Sequence, residues 1–225
     1  MNRKATNPLL IRCFPQTDIA FCKSDQFRRQ VFGLAPKKNG DFAWVMHMYT
    51  SMKTSTGRMA VVLPHGVLFR DSEAHIREKV IEADYIEAVI GLGPNLFYNS
   101  PMEACVVVLR MNKPKERKNK VIFINGVKQV TRERAFSSLS EKNLEKIVGA
   151  YFIPKSHEDI ARMVDITEIR ENLHNLSIPL YVHNGSPEDS QDLTSTIEAW
   201  QIGRVELKKQ TKKLFTALAE LGFKP

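Results

Sequence analysis

The chain has 225 residues, 33 Lys and Arg against 25 Asp and Glu, a net charge of +8, and 43% hydrophobic residues. That balance supports a folded core and excludes a disordered, collagen-like or disulfide-stapled chain; no apolar run approaches bilayer length, and the polar, basic start Met1-Asn2-Arg3-Lys4 carries no secretory signal. Three cysteines (Cys13, Cys22, Cys105) without a Cys-x-x-Cys pair fit a reducing cytoplasm, and the basic excess suits a nucleic-acid or acidic-protein partner.

Residues 1–38 are irregular, with prolines at 8, 15 and 36. Asn39-Gly40 signals a turn, Asp41 is a good N-cap, and Phe42, Val45, Met46, Tyr49 and Met52 recur at helical spacing, which predicts a helix over 41–53. Three apolar strands follow, at 59–63, at 86–90 (closed by Gly91) and at 104–109. Between the first two, 71–83 reads as a helix with Ile76, Val80 and Ala83 inward and a Glu73/Arg77 pair at i,i+4. Continuous apolar strands call for a sheet covered on both faces, and strand–helix–strand is the spacing of a right-handed crossover, so the class is α/β. The loop 91–101 is too short for a second crossover, which predicts that the third strand inserts antiparallel. A fourth strand, 121–124, follows the basic loop 113–120.

Further on, Ser140 caps a helix with Leu144, Ile147, Val148 and Tyr151 on one face. Residues 166–172 read as a short helix and 178–182 as extended. Ser186-Pro187-Glu188-Asp189 starts the last helix, in which Leu193, Trp200, Leu207, Leu214 and Leu221 share one heptad position. Ile197, Arg204, Thr211 and Leu218 occupy the companion position, Gly203 weakens the middle, and Gly222 supplies the stop. A single helix over 186–222 would be roughly 50 Å long. No metal-ligand spacing, Walker A loop or Gly-x-Ser-x-Gly elbow is present, and Gly91-Leu92-Gly93 reads as a tight turn. Pro64-His65-Gly66-Val67-Leu68-Phe69 follows a strand, at the end of an open sheet where ligands bind. By residues alone it is first a connector with Leu68 and Phe69 packed under the next helix, and second a place where a planar base stacks.

The block 57–70, Gly-Arg-Met-Ala-Val-Val-Leu-Pro-His-Gly-Val-Leu-Phe-Arg, resembles the methylation subunit of type I restriction–modification systems, an adenine-specific DNA methyltransferase that uses S-adenosylmethionine. Residues 40–48, 86–98, 120–124 and the Asn-rich 171–179 resemble the same family, so the likeness runs from about 32 to 182. It implies the later half of a Rossmann-like methyltransferase sheet followed by a helical C-terminal extension. The layout is then an irregular segment at 1–38, a partial α/β domain at 39–125, a helical and mixed extension at 126–185, and the long helix at 186–225. Nothing in the chain resembles the family's glycine-rich cofactor loop. Asn7-Pro8-Leu9-Leu10 stands near the place of its catalytic Asn-Pro-Pro-Phe/Tyr; by residues alone it is equally a turn. Gly93 stands where the family has proline, and Ser100-Pro101 where it has Thr-Gly.

The resemblance implies that Asn7 and Pro8 accept hydrogen bonds from the adenine amine and that Pro64, His65 and Phe69 line the pocket for a flipped base. It also implies that Lys113, Lys115, Arg117 and Lys118 meet DNA phosphates; otherwise these four form a solvated connector. Leu193, Trp200, Leu207, Leu214 and Leu221 then dock a specificity subunit; otherwise the helix folds back on residues 144–151. The expected partners are DNA, the specificity and restriction subunits, and a separate chain supplying the missing methyltransferase half, with no membrane. The alternative is a non-catalytic interaction module acting through the C-terminal helix.

Overall fold

The computed structural model describes residues 29–36, 38–97, 100–133, 136–182 and 193–220. It divides into two compact units, Met1–Asn184 and Gly185–Pro225. In chain order the first unit contains α1 (Asp41–Thr50), β1 (Arg58–Pro64), α2 (Ala74–Glu82), β2 (Ile86–Leu92), β3 (Ala104–Arg110), β4 (Lys120–Gly126), β5 (Thr131–Arg132), β6 (Ser137–Ser138), α3 (Glu141–Phe152), β7 (Ala161–Asp165) and α4 (Ile166–Glu171). The second holds α5 (Leu193–Glu220).

The sheet order is β1-β3-β2-β4-β7. β3 lies antiparallel between β1 and β2, as the short loop before it requires. β1 and β2 are therefore parallel to each other. β4 runs parallel to β2, and β7 is antiparallel to β4. Both faces of the central strands are buried. One face meets Phe42, Val45 and Met46 of α1, Ile76, Val80 and Ile81 of α2, Ile169 of α4, and Leu176, Ile178 and Tyr181. The other meets Ile147 and Ala150 of α3. This second face is covered only in part: over β1 and β3, Ala60 is exposed and Val62, Val106 and Val108 are half-buried.

Several local expectations change. Asp41 is the first residue of α1, not its cap; Gly40 caps without a side-chain bond, and the buried Asp41 carboxylate takes a 2.8 Å bond from Arg70 instead. Ser140 does cap α3, accepting from the Asn143 N–H at 3.3 Å, but Leu144 and Val148 stay exposed. Gly91 lies inside β2, where an added Cβ would stand 2.9 Å from Ile178 Cδ1; the glycine lets that side chain close over the strand. Residues 178–180 form a turn of 3₁₀ helix, not an extended segment, since Pro179 removes a donor any strand pairing would use. β7 and the buried Ile160, Ile166, Ile169, Leu176, Ile178 and Tyr181 bring residues 160–181 into the same sheet and core.

α5 has 28 residues, about 42 Å at 1.5 Å per residue, and runs unbroken through Gly203. The start at 186–189, Leu221 and Gly222 fall outside the described residues. No described helix is long and apolar enough to cross a membrane.

Candidate functional site

The parallel strands point the same way, so one end of the sheet collects their outgoing loops. The pairing aligns Pro64 with Ala104, Ala104 with Leu92, and Leu92 with Gly126. From this row leave the 65–70 loop, the 93–103 loop and the 127–138 hairpin. This is where ligands bind in open α/β sheets.

The 65–70 loop is a short 3₁₀ turn, His65–Leu68, held from three sides. Val67 and Leu68 are buried beneath it. The Leu68 carbonyl accepts from the Leu176 N–H at 2.9 Å, which joins the loop to the segment after α4. Buried Arg77 donates to the carbonyls of Arg70 (3.0 Å), Val67 (3.4 Å) and His174 (2.8 Å). It makes no ion pair with Glu73, contrary to the i,i+4 expectation. Glu73, fully buried, lies 3.4 Å from Arg70, whose guanidinium is drawn toward Asp41. Burial pushes the Glu73 carboxyl up to about 7, Arg70 pulling it down and Asp41 pushing it up.

Set on this base, Phe69 keeps half its surface (49%) in solvent, so the packed-connector expectation holds for Leu68 and fails for Phe69. His65 Nδ1 lies 3.7 Å from a Glu103 oxygen, and its Nε2 is buried without a hydrogen-bond partner among the described residues. Pro64, His65 and Phe69 are thus carried at one short turn, which leaves the Phe69 ring open. Asn7 and Pro8 lie outside the described residues.

The basic loop 113–118 is at the opposite end, between the close of β3 and the start of β4. Two of its four candidate phosphate contacts, Lys113 and Arg117, are turned inward into ion pairs. Lys113 is buried, with Nζ 2.5 Å from Asp84 Oδ1 and 2.8 Å from the Lys120 carbonyl. Arg117 donates to Glu87 at 2.9 Å and to the Tyr151 carbonyl at 2.8 Å, and its guanidinium sits 4.7 Å from the Tyr151 ring centroid. Lys115 and Lys118 are exposed. Glu87, fully buried, also accepts from Arg110 (3.0 Å) and from the Tyr151 hydroxyl (2.9 Å). Burial pushes its carboxyl up, but the bonds from Tyr151, Arg110 and Arg117 outweigh that and hold it below the usual range.

In α5, Trp200 (61%), Leu207 and Leu214 are exposed, as are Ile202, Val205 and Phe215, which the heptad pattern did not single out. Leu207, Thr211 and Phe215 fall at i,i+4 steps on one face. The described part of α5 contains Leu193, while Leu221 lies beyond it.

A sheet with an antiparallel strand inserted beside parallel ones, loops gathered at its carboxyl end, and helices on both faces is the later part of a methyltransferase fold. The profile of the N-6 DNA methylase family matches residues 7–190. The methylase subunit of the type I restriction enzyme MjaVII from Methanocaldococcus jannaschii is 37% identical over 186 residues, 81% of this chain and 31% of that protein. The MpnII methylase subunit from Mycoplasma pneumoniae is 32% identical over 161 residues, 71% of this chain and 29% of that one. The crystal structure of a type I restriction–modification methyltransferase subunit from Streptococcus thermophilus superposes with a TM-score of 0.65 at 36% identity, covering 74% of this chain and 35% of that chain. The EcoKI M protein, at 15% identity and a TM-score of 0.53 over 85% of this chain and 46% of that one, shares the fold. The chain belongs to the N-6 DNA methylase family. It spans about a third of the length of the type I methylase subunits it matches first.

Proposed function

We propose that this chain is the later part of the methylation subunit of a type I restriction–modification system and serves methyl transfer to the adenine amino group in DNA. The observation that carries the reading is the 65–70 loop at the carboxyl end of the sheet. Its backbone is fixed by Arg77 and Leu176 while the Phe69 ring stays open. A base swung out of the duplex would stack on Phe69, with Pro64 and His65 closing one side. The Asn7 side-chain oxygen and the Pro8 carbonyl would accept the two amine N–H bonds, favouring a pyramidal nitrogen. Such an amine could accept a methyl group as it gives up one proton.

S-adenosylmethionine would supply the methyl group. The described residues do not build a site for it, since none of their strands leads into a helix through a glycine-rich loop. Its binding falls to the part of the relatives that this chain does not cover. The half-covered face over β1 and β3 supports that reading, because among the described residues Ala60 is exposed there and Val62 and Val106 are only half-buried. Exposed Trp200, Leu207 and Leu214, with Leu193 and Leu221 at the same heptad position, suit a specificity subunit, and a restriction subunit completes the system. The cytoplasm is the expected site of action.

The test is transfer of labelled methyl to DNA. The chain alone should transfer none. The chain combined with the preceding half of a methylase subunit and a specificity subunit should transfer label, and Phe69→Ala in that assembly should lower the rate by at least tenfold without changing the melting of the sheet. Transfer by the chain alone, or full activity of the Phe69 variant, would sink the reading.

A further inference from the structure

We infer that the described arms of the 127–138 hairpin, residues 127–133 and 136–138, are the surface with which this chain holds duplex DNA beside the base-receiving loop, Lys128 and Arg132 meeting phosphates and Phe136 lying against the groove edge. The inference rests on the proposed function for the nature of the partner, and on the sheet register for the place.

Placement comes first. Gly126, from which the hairpin departs, is aligned through Leu92 and Ala104 with Pro64, from which the Phe69 loop departs. Three inter-strand steps separate them, about 14 Å, which is a few base pairs along a duplex. The 113–118 loop is at the far end of strands seven residues long, roughly 20 Å away. A duplex whose base enters at Phe69 therefore runs past the hairpin.

The base of the hairpin is firmly built. Thr131 pairs with Ser138 and Arg132 with Ser137. The Ser137 N–H donates to the Asn95 carbonyl at 2.8 Å, and the Glu133 N–H to the Phe136 carbonyl at 2.9 Å. A Cβ on Gly93 would stand 2.6 Å from the Val127 carbonyl oxygen and 2.6 Å from Val130 Cγ1. The absence of a side chain at Gly93 is what lets Val127 and Val130 settle against the 93–97 loop.

The exposed groups then decide the partner. Lys128 and Arg132 are exposed and make no ion pair among the described residues. Glu133 is exposed as well; by sequence, residues 127–138 carry three cations, Lys128, Arg132 and Arg134, against that one carboxylate, and Lys128 and Arg132 are the two among the described residues. Phe136 is 54% exposed, and neighbouring loops of the same end expose Phe69 (49%) and Met102 (62%). Unpaired cations interleaved with open apolar side chains suit a phosphate backbone and the sugar and base edges beside it. At the opposite end, by contrast, Lys113 and Arg117 are already neutralised by Asp84 and Glu87.

The experiment uses the full chain and a short labelled duplex, with anisotropy read across a salt series. Lys128→Gln with Arg132→Gln should weaken binding several-fold at low salt and make the log–log salt slope shallower by about two, one per lost phosphate contact. Lys115→Gln with Lys118→Gln serves as the opposite-end control and should leave the slope unchanged. All these residues are exposed, so melting should not move. An unchanged slope in the hairpin variant, an equal change in the control, or no binding of the duplex by the parent chain would each overturn the inference. None of these outcomes bears on the methyl-transfer reading, which stands or falls on label transfer by the assembled enzyme.

Discussion

The two ends of one sheet are built on opposite principles. At the amino end, Glu87 and Asp84 draw Arg110, Arg117 and Lys113 inward, so charges that look solvated in the sequence are spent on one another. At the carboxyl end Lys128 and Arg132 have no ion-pair partner among the described residues, and Phe69, Met102 and Phe136 stay open. A basic segment is thus a binding surface only if its charges have no internal partner, and that depends on residues about 30 positions away.

Removing the centre of the amino-end network should have the largest effect. Glu87→Ala leaves Arg110, Arg117 and the Tyr151 hydroxyl without their acceptor in a buried place, and should cost about 3–5 kcal/mol of unfolding free energy. Denaturant melts measure it. A loss below about 1 kcal/mol would mean that this end is not locked by its ion pairs and that the contrast between the ends is one of appearance only.

The buried carboxylate beneath the carboxyl-end loop should behave differently. Folded Glu73 titrates near 7, above its ordinary 4.5, because burial favours the neutral form. The folded state therefore binds the proton more tightly than the unfolded chain. The stabilisation is complete below about 4.5 and is lost as pH rises through about 7, by up to about 3 kcal/mol. Glu73→Gln should flatten stability between those limits, raising it relative to the parent at pH 8. A parent whose stability does not fall across this range would contradict the assignment.

Arg77→Lys should come next. A single ammonium cannot serve the carbonyls of Val67, Arg70 and His174 together, and the loss should be about 1–3 kcal/mol. Hydrogen exchange should quicken at the amides of Phe69, Arg70 and Leu176 while β2 and β4 stay protected. Uniform quickening would show that Arg77 supports the whole core and not the loop.

Much of this architecture was legible because it rests on short-range pattern. The apolar runs of β1 to β4, the antiparallel insertion of β3 and the Ser140 cap each follow from neighbours within a dozen residues. β7 was not, since Ala161-Arg162-Met163-Val164-Asp165 buries only Ala161 and Val164 and lies at the sheet edge. The site was half legible. Pro64, His65 and Phe69 lie where strand order puts them, but Arg77 read as a partner for Glu73 because helix spacing cannot reveal carbonyls supplied by residues 67, 70 and 174. Lys113 and Arg117 misled for the same reason, their acceptors being Asp84 and Glu87. The 127–138 hairpin drew no notice because strands of two residues leave no periodicity to read.

The smallest expected effect isolates burial as the variable in this comparison. Glu82 accepts from Arg170 at 2.7 and 2.5 Å and lies 2.8 Å from His174 Nε2, and these bonds hold its carboxyl down to about 2. Its sign is opposite to that of Glu73. The folded state releases the proton more readily than the unfolded chain, so the contribution is present above the ordinary carboxylate range and fades as pH falls toward 2. Unlike Glu73 and Glu87, however, the Glu82 side chain is 36% exposed and Arg170 51%, so water and salt screen the pair. Glu82→Gln should therefore cost under about 1 kcal/mol at neutral pH, less in high salt, despite having hydrogen bonds as short as any around Glu87. A loss comparable to that of Glu87→Ala would mean that bond geometry, and not burial, sets the strength of the ion pairs in this sheet.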